Sequence, residues 1–384
     1  MAAPEQATPT RRRPKGRKDK IVEAAHDLIG QSGFRNVSMA QIADEVGITA
    51  GALYWHFSNK TTLLGAVVDR SISSLLAPIA EGTDLDDTLL ELCTVVTTRR
   101  DHGRLWWQEL RHLEPAAREE LRGRMRGIAE ALGGLIQRER PNLADDRALT
   151  LAYGVLVLLT TPSFHTTKMS PDEYAPLLAR CCRSVVEIDL GEPAPVAETG
   201  RPGLEPISKR EAMLSYAVQL FDERGFDATS LNDIGAAAGV TGPNLYSYFD
   251  SKAEILDAAV ERGVSAMWLM MHSVLRANDN AADALRDLVR GHISLTLDRT
   301  IMTSVLLSEP AAPTNPPRAR QREYIAEWAG LLRSCRPELD DRTARVLAHT
   351  VLTVIHVASR TPAFRRRGSL EADLTQLAFA VIRP

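Results

Sequence analysis

The sequence predicts an all-α protein made of two similar helical halves. Aromatic residues are only 5% of the 384 residues, whereas Ala, Leu and Arg, which favour helices, are abundant. The segment GITAGALYWHF at 47–57 recurs in similar form as GVTGPNLYSYF at 239–249. Because a chain of this length normally holds more than one domain, we expect two copies of one helical domain.

The repeat extends well beyond this phrase. Residues 20–70 align with 212–262 without a gap, and sixteen of the 51 positions are identical. A period this long indicates a duplicated domain, because the repeats of a solenoid are only about 20–50 residues long. The segment 191–207 between the copies is rich in Pro and Gly and lacks helical periodicity, so it is predicted to be a linker.

The first copy begins with the pattern of two successive helices. Apolar side chains recur at helical spacing over 21–29, and Gly33 suits the end of that helix. Ser38 and Gln41 have the spacing of a capping box, which predicts the start of a second, short helix. Gly47 is expected to end that helix in a turn of about three residues.

A third and a fourth helix follow the turn. Thr49 is placed to cap the third helix, in which Leu53 and Phe57 would be the buried anchors. Asn59 is placed to cap a fourth helix that begins at Lys60. Two short helices joined by a tight glycine turn and braced by a longer helix form a helix-turn-helix unit.

The outer face of the third helix favours DNA binding. Tyr54, Trp55 and His56 give it aromatic side chains that a plain helical hairpin, which uses the same glycine and caps, would not need. Lys60 lies in the first turn of the fourth helix, where a cation opposes the helix dipole, and Lys252 repeats this placement. A phosphate at that helix end would attract both the dipole and the ammonium group.

Both copies resemble the DNA-binding domain of the TetR family of transcriptional repressors. The second copy departs from the pattern at Gly235, Pro243 and Tyr248; because Pro243 falls in the first turn, its helix is expected to survive. The tandem layout is also similar to the repressors of mammalian-cell-entry and lipid operons in actinobacteria. The residues that carry the resemblance in the first copy are Ser38, Ile42, Ala43, Gly47, Leu53, Tyr54, His56, Phe57, Lys60 and Leu64.

The resemblance implies that each half joins a helix-turn-helix domain to a helical domain for dimerisation and effector binding. Half would pack against half as an intrachain pseudo-dimer, and a further homodimer stays open. The expected divisions are a disordered basic arm at 1–16, a DNA-binding domain at 17–65, a ligand and dimerisation domain at 66–190, the linker at 191–207, a second DNA-binding domain at 208–257 and a second ligand domain at 258–384.

Double-stranded operator DNA is the expected partner. The arm RRRPKGRKDK at 11–20 supports this, because its charges would release counterions from DNA, although such a tail can also simply solubilise a protein. The predicted DNA contacts are Arg11, Arg12, Arg13, Ser38, Thr49, Ala50, Gly51, Tyr54, His56 and Lys60 in the first half, with Ser230, Thr241, Gly242, Asn244, Tyr246, Tyr248 and Lys252 in the second.

The resemblance also implies a small-molecule effector. The apolar bias of the C-terminal segments favours a lipid-like, acyl or sterol-like compound, although each candidate side chain is also compatible with an ordinary core. The candidates are Trp106, Trp107, Tyr153 and Phe164 in the first half, with Trp268, Met270, Met271 and His292 in the second.

Other classes of function find less support in the sequence. It contains no GxSxG, GxGxxG, GxxxxGK[ST] or HExxH motif, so neither an enzyme, a cofactor nor a metal site is expected. Four cysteines without a CxxC pair, and apolar runs far shorter than the ~20 residues of a membrane span, predict a cytoplasmic, nucleoid-associated protein without a membrane partner. Two alternatives stay open, a second helix-turn-helix that serves only dimerisation and a protein-interaction module.

Overall fold

The structure, a computed structural model, describes residues 16–82, 84–194, 204, 206–226, 228–240, 242–298 and 315–383. Every regular element within these ranges is helical, which confirms the predicted all-α class. The helices of the first half are α1 Arg17–Ser32, α2 Met39–Val46, α3 Ala50–His56, α4 Lys60–Ser73, α5 Leu76–Glu81, α6 Leu85–Thr98, α7 His102–Trp107, α8 Pro115–Glu139, α9 Asp145–Thr160 and α10 Pro171–Val186. Those of the second half are α11 Lys209–Arg224, α12 Leu231–Ala237, α13 Lys252–Ala277, α14 Ala281–Leu297, α15 Asn315–Cys335, α16 Asp341–Ala358, α17 Pro362–Arg365 and α18 Leu370–Ile382.

The chain divides into two compact units. One contains the described part of Met1–Ser74 together with Leu105–Arg124, and the other contains Leu75–Arg104 and the described part of Met125–Pro384. The predicted first DNA-binding domain therefore groups with the segment around the start of α8. The predicted second DNA-binding domain belongs to the same unit as most of the remaining helices of both halves.

In the first unit, α1 packs against α2 and α4, and α2 packs against α3. The predicted caps form: the backbone N–H of Gln41 donates to Ser38 Oγ at 3.2 Å, and the N–H of Ala52 donates to Thr49 Oγ1 at 3.2 Å. Gly47 ends α2 with a φ of 68°, a left-handed conformation that glycine adopts without strain. These devices fix the turn between α2 and α3.

The second copy repeats this arrangement with one difference. The segment that corresponds to α3 is a six-residue 3-10 helix, Gly242–Ser247, so the prediction that an α-helix survives Pro243 is wrong. Gly242 and Asn244, which flank Pro243, favour the α-helix less than Ala50 and Ala52 at the equivalent positions of the first copy. In addition, a Cβ atom on Gly235 would lie 2.6 Å from the carbonyl oxygen of Val240, so the backbone approaches α12 closely here.

Helices of the two halves pack together in the second unit. α9 contacts α16, and α10 contacts α18. Gly154 on α9 permits the close approach, because a Cβ atom there would lie 2.9 Å from Val185 and 3.2 Å from Leu377. The first and second halves of the chain are thus joined by a packed helical interface as well as by the linker.

A polar cluster lies in this interface. Arg100 donates from Nη1 to the carbonyl of Thr167 at 2.9 Å and from Nη2 to that of His165 at 2.8 Å. The His165 ring shares a hydrogen bond of 2.9 Å with the hydroxyl of Tyr174 and stacks on the His349 ring at 5.0 Å between centroids. Because His165 belongs to the first half and His349 to the second, this stack links the halves directly.

The predicted domain boundaries cut through continuous helices. α4 runs through the boundary at 65/66, and α13 runs through the one at 257/258, because both helices continue to bury apolar side chains beyond these points. Two contacts hold the first residues of the linker. Arg367 donates to the carbonyl of Gly191 at 2.6 Å, and Arg147 forms an ion pair with Glu192.

Two helical stretches, Lys60–Glu81 and Asp145–Phe164, are long and apolar enough to cross a membrane by length and composition. The sequence-based expectation that no apolar segment reaches this length is therefore too strict. Within the most apolar 18-residue window of each stretch, 50% of the first and 78% of the second is buried in the protein, and core helices pass the same test, so the evidence for a membrane span is weak.

Candidate nucleic-acid interface and effector site

The α3 helix presents an aromatic face to solvent. Leu53 is buried beneath the helix, while the Tyr54 side chain is 52% exposed and the Trp55 side chain is 83% exposed. Ala50 and Gly51 are also exposed, and His56 is half-buried at the C-terminal end. The structure thus brings the predicted contacts of the first recognition helix onto one short, accessible element.

Lys60 makes contacts that the sequence does not reveal. Its ammonium group lies 4.2 Å from the centroid of the Phe34 ring and 3.5 Å from the carbonyl oxygen of Arg35. Burial lowers the pKa of this ammonium group, the carboxylate of Glu109 raises it and Arg35 lowers it. Lys60 therefore fastens the loop after α1 to the start of α4, and its contact with a DNA phosphate remains a prediction.

Lys252 repeats this geometry in the second copy. Its ammonium group lies 4.2 Å from the centroid of the Phe226 ring and donates to the Phe226 carbonyl at 2.5 Å. The two lysines thus have the same structural role at the same position of each repeat.

The second recognition segment is accessible to solvent, but it is a 3-10 helix of six residues instead of an α-helix. Tyr246 is 62% exposed, Asn244 is exposed and Tyr248 is half-buried. Ser247 Oγ donates to the carbonyl of Asn244 at 2.7 Å, which closes the 3-10 turn. Thr241 lies outside the described residues, as do Arg11, Arg12 and Arg13 of the arm.

The serine that precedes the second helix of each domain forms hydrogen bonds with a residue in the first turn of that helix. Ser38 exchanges hydrogen bonds with Gln41, and Ser230 exchanges them with Asp233, each pair forming a capping box. Both serines are exposed, so their predicted DNA contacts would be made while they cap their helices.

A buried carboxylate connects the first DNA-binding domain to the segment after α7. Glu109 accepts from the backbone N–H of Phe34 at 3.4 Å, and the His112 ring stacks on the Phe34 ring at 5.3 Å. Nearby, Trp106 donates from Nε1 to Ser71 Oγ at 2.8 Å. Within the first unit, residues 105–113 therefore contact both the loop after α1 and the end of α4.

The effector candidates of the first half belong to two different units. Trp106 is committed to the hydrogen bond with Ser71, and Trp107 is half-buried on the same short helix. Tyr153 and Phe164 lie at α9 and at the 3-10 helix that follows it; burial raises the pKa of the Tyr153 hydroxyl. Their role in effector binding remains a prediction.

The effector candidates of the second half are close to further aromatic residues. Trp268 contacts the ring of Tyr324 edge-on at 5.9 Å, and His292 lies 6.1 Å from the ring of Trp328. Met271 is fully buried. The remaining candidate of this half, Met270, packs where a side chain on Gly291 would otherwise lie. Sequence reasoning missed Tyr324, Trp328 and their neighbour His356, since aromatic residues spaced along separate helices leave no local motif.

Residues 21–67 and 213–259 both match the family described as bacterial regulatory proteins, tetR family. The chain therefore carries two segments that match this family, one in each half. Together with the helical architecture, the two matches give the protein a two-unit, all-α TetR fold.

Curated relatives match parts of this chain. The HTH-type transcriptional regulator RutR of Escherichia coli (strain K12) is 33% identical over 103 residues, which are 27% of this chain and 48% of the relative. The HTH-type transcriptional repressor KstR2 of Mycolicibacterium smegmatis is 23% identical over 147 residues, which are 35% of this chain and 72% of the relative. The chain spans about a third to a half of the length of the first curated relatives that it matches.

Solved structures show a similar pattern of coverage. A bacterial regulatory protein in the tetR family from Rhodococcus RHA1 aligns with 44% of this chain and 95% of its own, at 20% identity and a TM-score of 0.40. At that score the likeness supports no conclusion about function.

Each domain has a further cation that was not among the individually predicted DNA contacts. Lys18 lies 5.4 Å from the centroid of the Phe57 ring, and Arg210 lies 4.3 Å from that of Phe249. Both cations are exposed in the first turn of the domain's first helix, next to the residue that follows the recognition segment. Alignment of the two copies pairs Lys18 with Arg210, and this pairing was the signal that could have identified them.

Proposed function

We propose that this chain is a transcriptional repressor that binds operator DNA through two different TetR-type domains and leaves the DNA when a small apolar effector binds. The observation that carries the proposal is the exposed face of α3, on which Tyr54 and Trp55 meet solvent above a buried Leu53. Exposed aromatic side chains on a short capped helix are costly without a partner, and the major groove of DNA admits such a helix.

Charge around the recognition segments supports the same proposal. Lys18 and Arg210 extend the basic surface at the end of each segment, where they would contact backbone phosphates. Lys60 and Lys252 would add a second phosphate contact at the start of the following helix. Phosphate contacts would position the domains, and the different side chains at 49–56 and 241–248 would select the bases.

One chain would supply both DNA-binding domains of an operator complex. Helix-turn-helix proteins need two recognition elements about one DNA turn apart, roughly 34–36 Å, and usually obtain them by homodimerisation. Here the packing of α9 on α16 would serve as the dimer interface within one chain. Because the two recognition segments differ in sequence, we expect half-sites of different sequence and an operator with a fixed orientation.

The test is to select bound DNA from a random pool and to measure the mass of the purified complex. The proposal expects a non-palindromic site occupied by one chain. Recovery of a perfect palindrome occupied by two chains would overturn the one-chain operator. A gel shift with the DNA upstream of the protein's own gene tests DNA binding itself, and no shift at low salt would favour a function without DNA.

A second candidate function is favoured by the 3-10 helix Gly242–Ser247. In that case the first domain alone would contact bases, and the second would contribute only to assembly. Tyr54→Ala and Tyr246→Ala form a matched pair that separates the two candidates. Equal losses of affinity on the selected operator favour two base-contacting domains, whereas a loss confined to Tyr54→Ala favours one.

The nature of the regulation rests on similarity and composition. The relative KstR2 is named a repressor, which supports repression here. The resemblance of the tandem layout to regulators of lipid operons supports genes of lipid uptake or breakdown as targets and an acyl or sterol-like effector. Deleting the gene should raise transcription of the operon next to the selected operator, and unchanged transcription would contradict repression.

A further inference from the structure

A cluster of aromatic and imidazole side chains lies in the core of the second effector domain, where four helices meet. It is formed by Trp268 on α13, His292 on α14, Tyr324 and Trp328 on α15, and His356 on α16. The Nε2 atoms of His292 and His356 lie 3.3 Å apart, and the Tyr324 hydroxyl lies 3.4 Å from His292 Nδ1. A hydrogen-bonded chain therefore runs from Tyr324 through both imidazoles.

The same aromatic cluster contains buried polar atoms that lack a hydrogen-bond partner. Among the described residues, the Nε1 atom of Trp268 and the Nδ1 atom of His356 are buried without a hydrogen-bond partner, and the buried Nε1 atom of Trp328, whose ring lies against that of Tyr324, has no partner in normal hydrogen-bond geometry. Trp328 is fully buried and His356 is 5% exposed. Each buried polar atom without a partner costs about 1–3 kcal/mol, so three in one cluster indicate a place where a ligand supplies the missing bonds.

The first half of the chain provides an internal comparison. The caps Asp84 and Asn280 of α6 and α14 place the two effector domains in register. The arginines Arg140 and Arg336, which follow α8 and α15, keep the same interval of 196 residues. In this register the positions of His292, Tyr324, Trp328 and His356 are occupied by Val96, Ile128, Leu132 and Thr160.

These first-half residues form an ordinary core. Val96, Ile128 and Leu132 are buried and aliphatic, and the hydroxyl of Thr160 donates within its own helix to Val157 at 2.7 Å. The TetR-type architecture therefore does not require polar rings at these positions. Because these polar rings occur in the second half and not at the matching positions of the first, folding alone does not explain them.

We propose that this cluster binds an uncharged ligand that has an apolar body and at least one acceptor oxygen, such as a ketone or an ester. The proposal rests on the proposed function, because it assigns the effector site to the second half of the chain. The indole N–H groups of Trp268 and Trp328 can only donate, so the ligand must offer oxygen atoms that accept.

The charge of the ligand follows from its surroundings. Burial lowers the pKa of His292 to about 4 and that of His356 well below its usual range, so both imidazoles are neutral at pH 7. A carboxylate buried against neutral imidazoles and indoles would lose its hydration without gaining an ion pair, whereas a carbonyl group loses much less. The aromatic walls would pack on the apolar body of the ligand.

The probe for the test is prodan, a fluorescent and uncharged naphthyl ketone, compared with dimethylaminonaphthalene, which lacks the carbonyl group. We expect the full-length protein to bind prodan with a blue shift of its emission and to bind the carbonyl-free compound at least about tenfold more weakly, as the loss of one hydrogen bond in a buried site predicts. Equal affinity for the two compounds, or no binding of prodan, overturns the proposal.

Variants locate the site. Trp328→Phe keeps a large ring but removes the donor, and His356→Leu removes the end of the hydrogen-bonded chain; each should raise the Kd for prodan about tenfold. Leu132→Met, at the matching position of the first half, is the control and should leave the Kd unchanged. Wild-type affinity in both second-half variants, with circular dichroism that shows them folded, contradicts the proposal. A variant that fails to fold is replaced by the comparison of the two compounds on the wild-type protein.

DNA binding is measured on the same samples. If the protein binds the operator but binds prodan no better than the carbonyl-free compound, the proposed ligand site is contradicted and the proposed repressor function is not. Conversely, prodan binding that depends on Trp328, in a protein that binds no DNA, supports the ligand site and contradicts the proposed function.

Discussion

Lys60 and Phe34 form a cation–π contact, with 4.2 Å between the ammonium nitrogen and the ring centroid, and Lys252 and Phe226 repeat it at 4.2 Å. In each domain the lysine begins the helix after the recognition segment, and the phenylalanine lies in the loop after the first helix. The contact therefore fixes the position of the recognition segment against the rest of the domain. It also places one positive charge at the N-terminus of a helix, where a phosphate would be favoured.

Replacing Lys60 by alanine should affect both stability and DNA binding. The loss of the ring contact and of the hydrogen bond to Arg35 should lower the stability of the first domain by about 1–2 kcal/mol. Binding to all DNA sequences should weaken, and the slope of log K against log salt should fall by about one unit. Thermal unfolding and salt-dependent binding measure the two effects.

Lys60→Arg is the control for that experiment, because it keeps the charge and can still stack on Phe34. It should retain most of the salt dependence. A Lys60→Ala variant that loses stability while its salt slope stays at the wild-type value would restrict Lys60 to a structural role. A loss of affinity for one operator sequence only would contradict a phosphate contact.

Gly235→Ala should destabilise the second DNA-binding domain. The added Cβ atom would lie 2.6 Å from the carbonyl oxygen of Val240 and would also overlap the Leu245 side chain, so the backbone must shift. Overpacking of this kind costs about 1–3 kcal/mol. We expect a lower thermal midpoint, together with weaker binding to the half-site of the second domain and an unchanged footprint on the other half-site.

The matched change in the first domain is Ala43→Gly, at the position equivalent to Gly235. It removes a buried methyl group from a helix and should cost about 1 kcal/mol without a clash. If Gly235→Ala instead raises the thermal midpoint, as a helix-favouring substitution does in open space, the close approach of the recognition segment to α12 is wrong.

Acid should weaken the interface between the halves. Burial and Arg100 lower the pKa of His349 to about 4, and burial, His349 and Arg100 lower that of His165 well below its usual range. In the unfolded chain these histidines bind protons near pH 6.5. Their contribution to the free energy of unfolding is therefore complete above that pH, and it is lost as the pH falls from there through about 4. Each histidine should contribute about 1.4 kcal/mol per pH unit within this window.

Comparison with His349→Leu isolates this contribution. Carboxylates titrate in the same range, but they are common to both proteins and cancel in the difference. Denaturant unfolding between pH 7 and pH 4 should show a shallower loss of stability in the variant. Parallel curves for the two proteins would mean that His349 is not neutral in the folded state.

The sequence was sufficient for the elements that depend on local chemistry. The capping box of Ser38 and Gln41, the cap at Thr49 and the turn at Gly47 require only neighbouring residues, and all three form. The segment around Pro243 is a 3-10 helix rather than the expected α-helix, and the close approach of Leu245 to Gly235 across the turn is a tertiary contact that no local pattern predicts.

Contacts between segments that are distant in the chain could not be predicted from the sequence. His165 and His349 stack although they are far apart in the chain, and neither belongs to a motif. The Lys60 ammonium was expected at a phosphate, but its position over Phe34 depends on how the loop after α1 folds back. Such contacts arise from tertiary packing, which periodicity and capping patterns do not encode.

The packing of α9 against α16 joins two segments of one polypeptide. Dilution cannot separate them, so under the proposed function the occupancy of DNA should follow the protein concentration linearly rather than as its square. Neither half can exchange with the subunits of a related regulator in the same cell. A substitution in α9 also leaves α16 unchanged, so each side of the interface is free to evolve against the other, a freedom that the symmetry axis of a homodimer forbids.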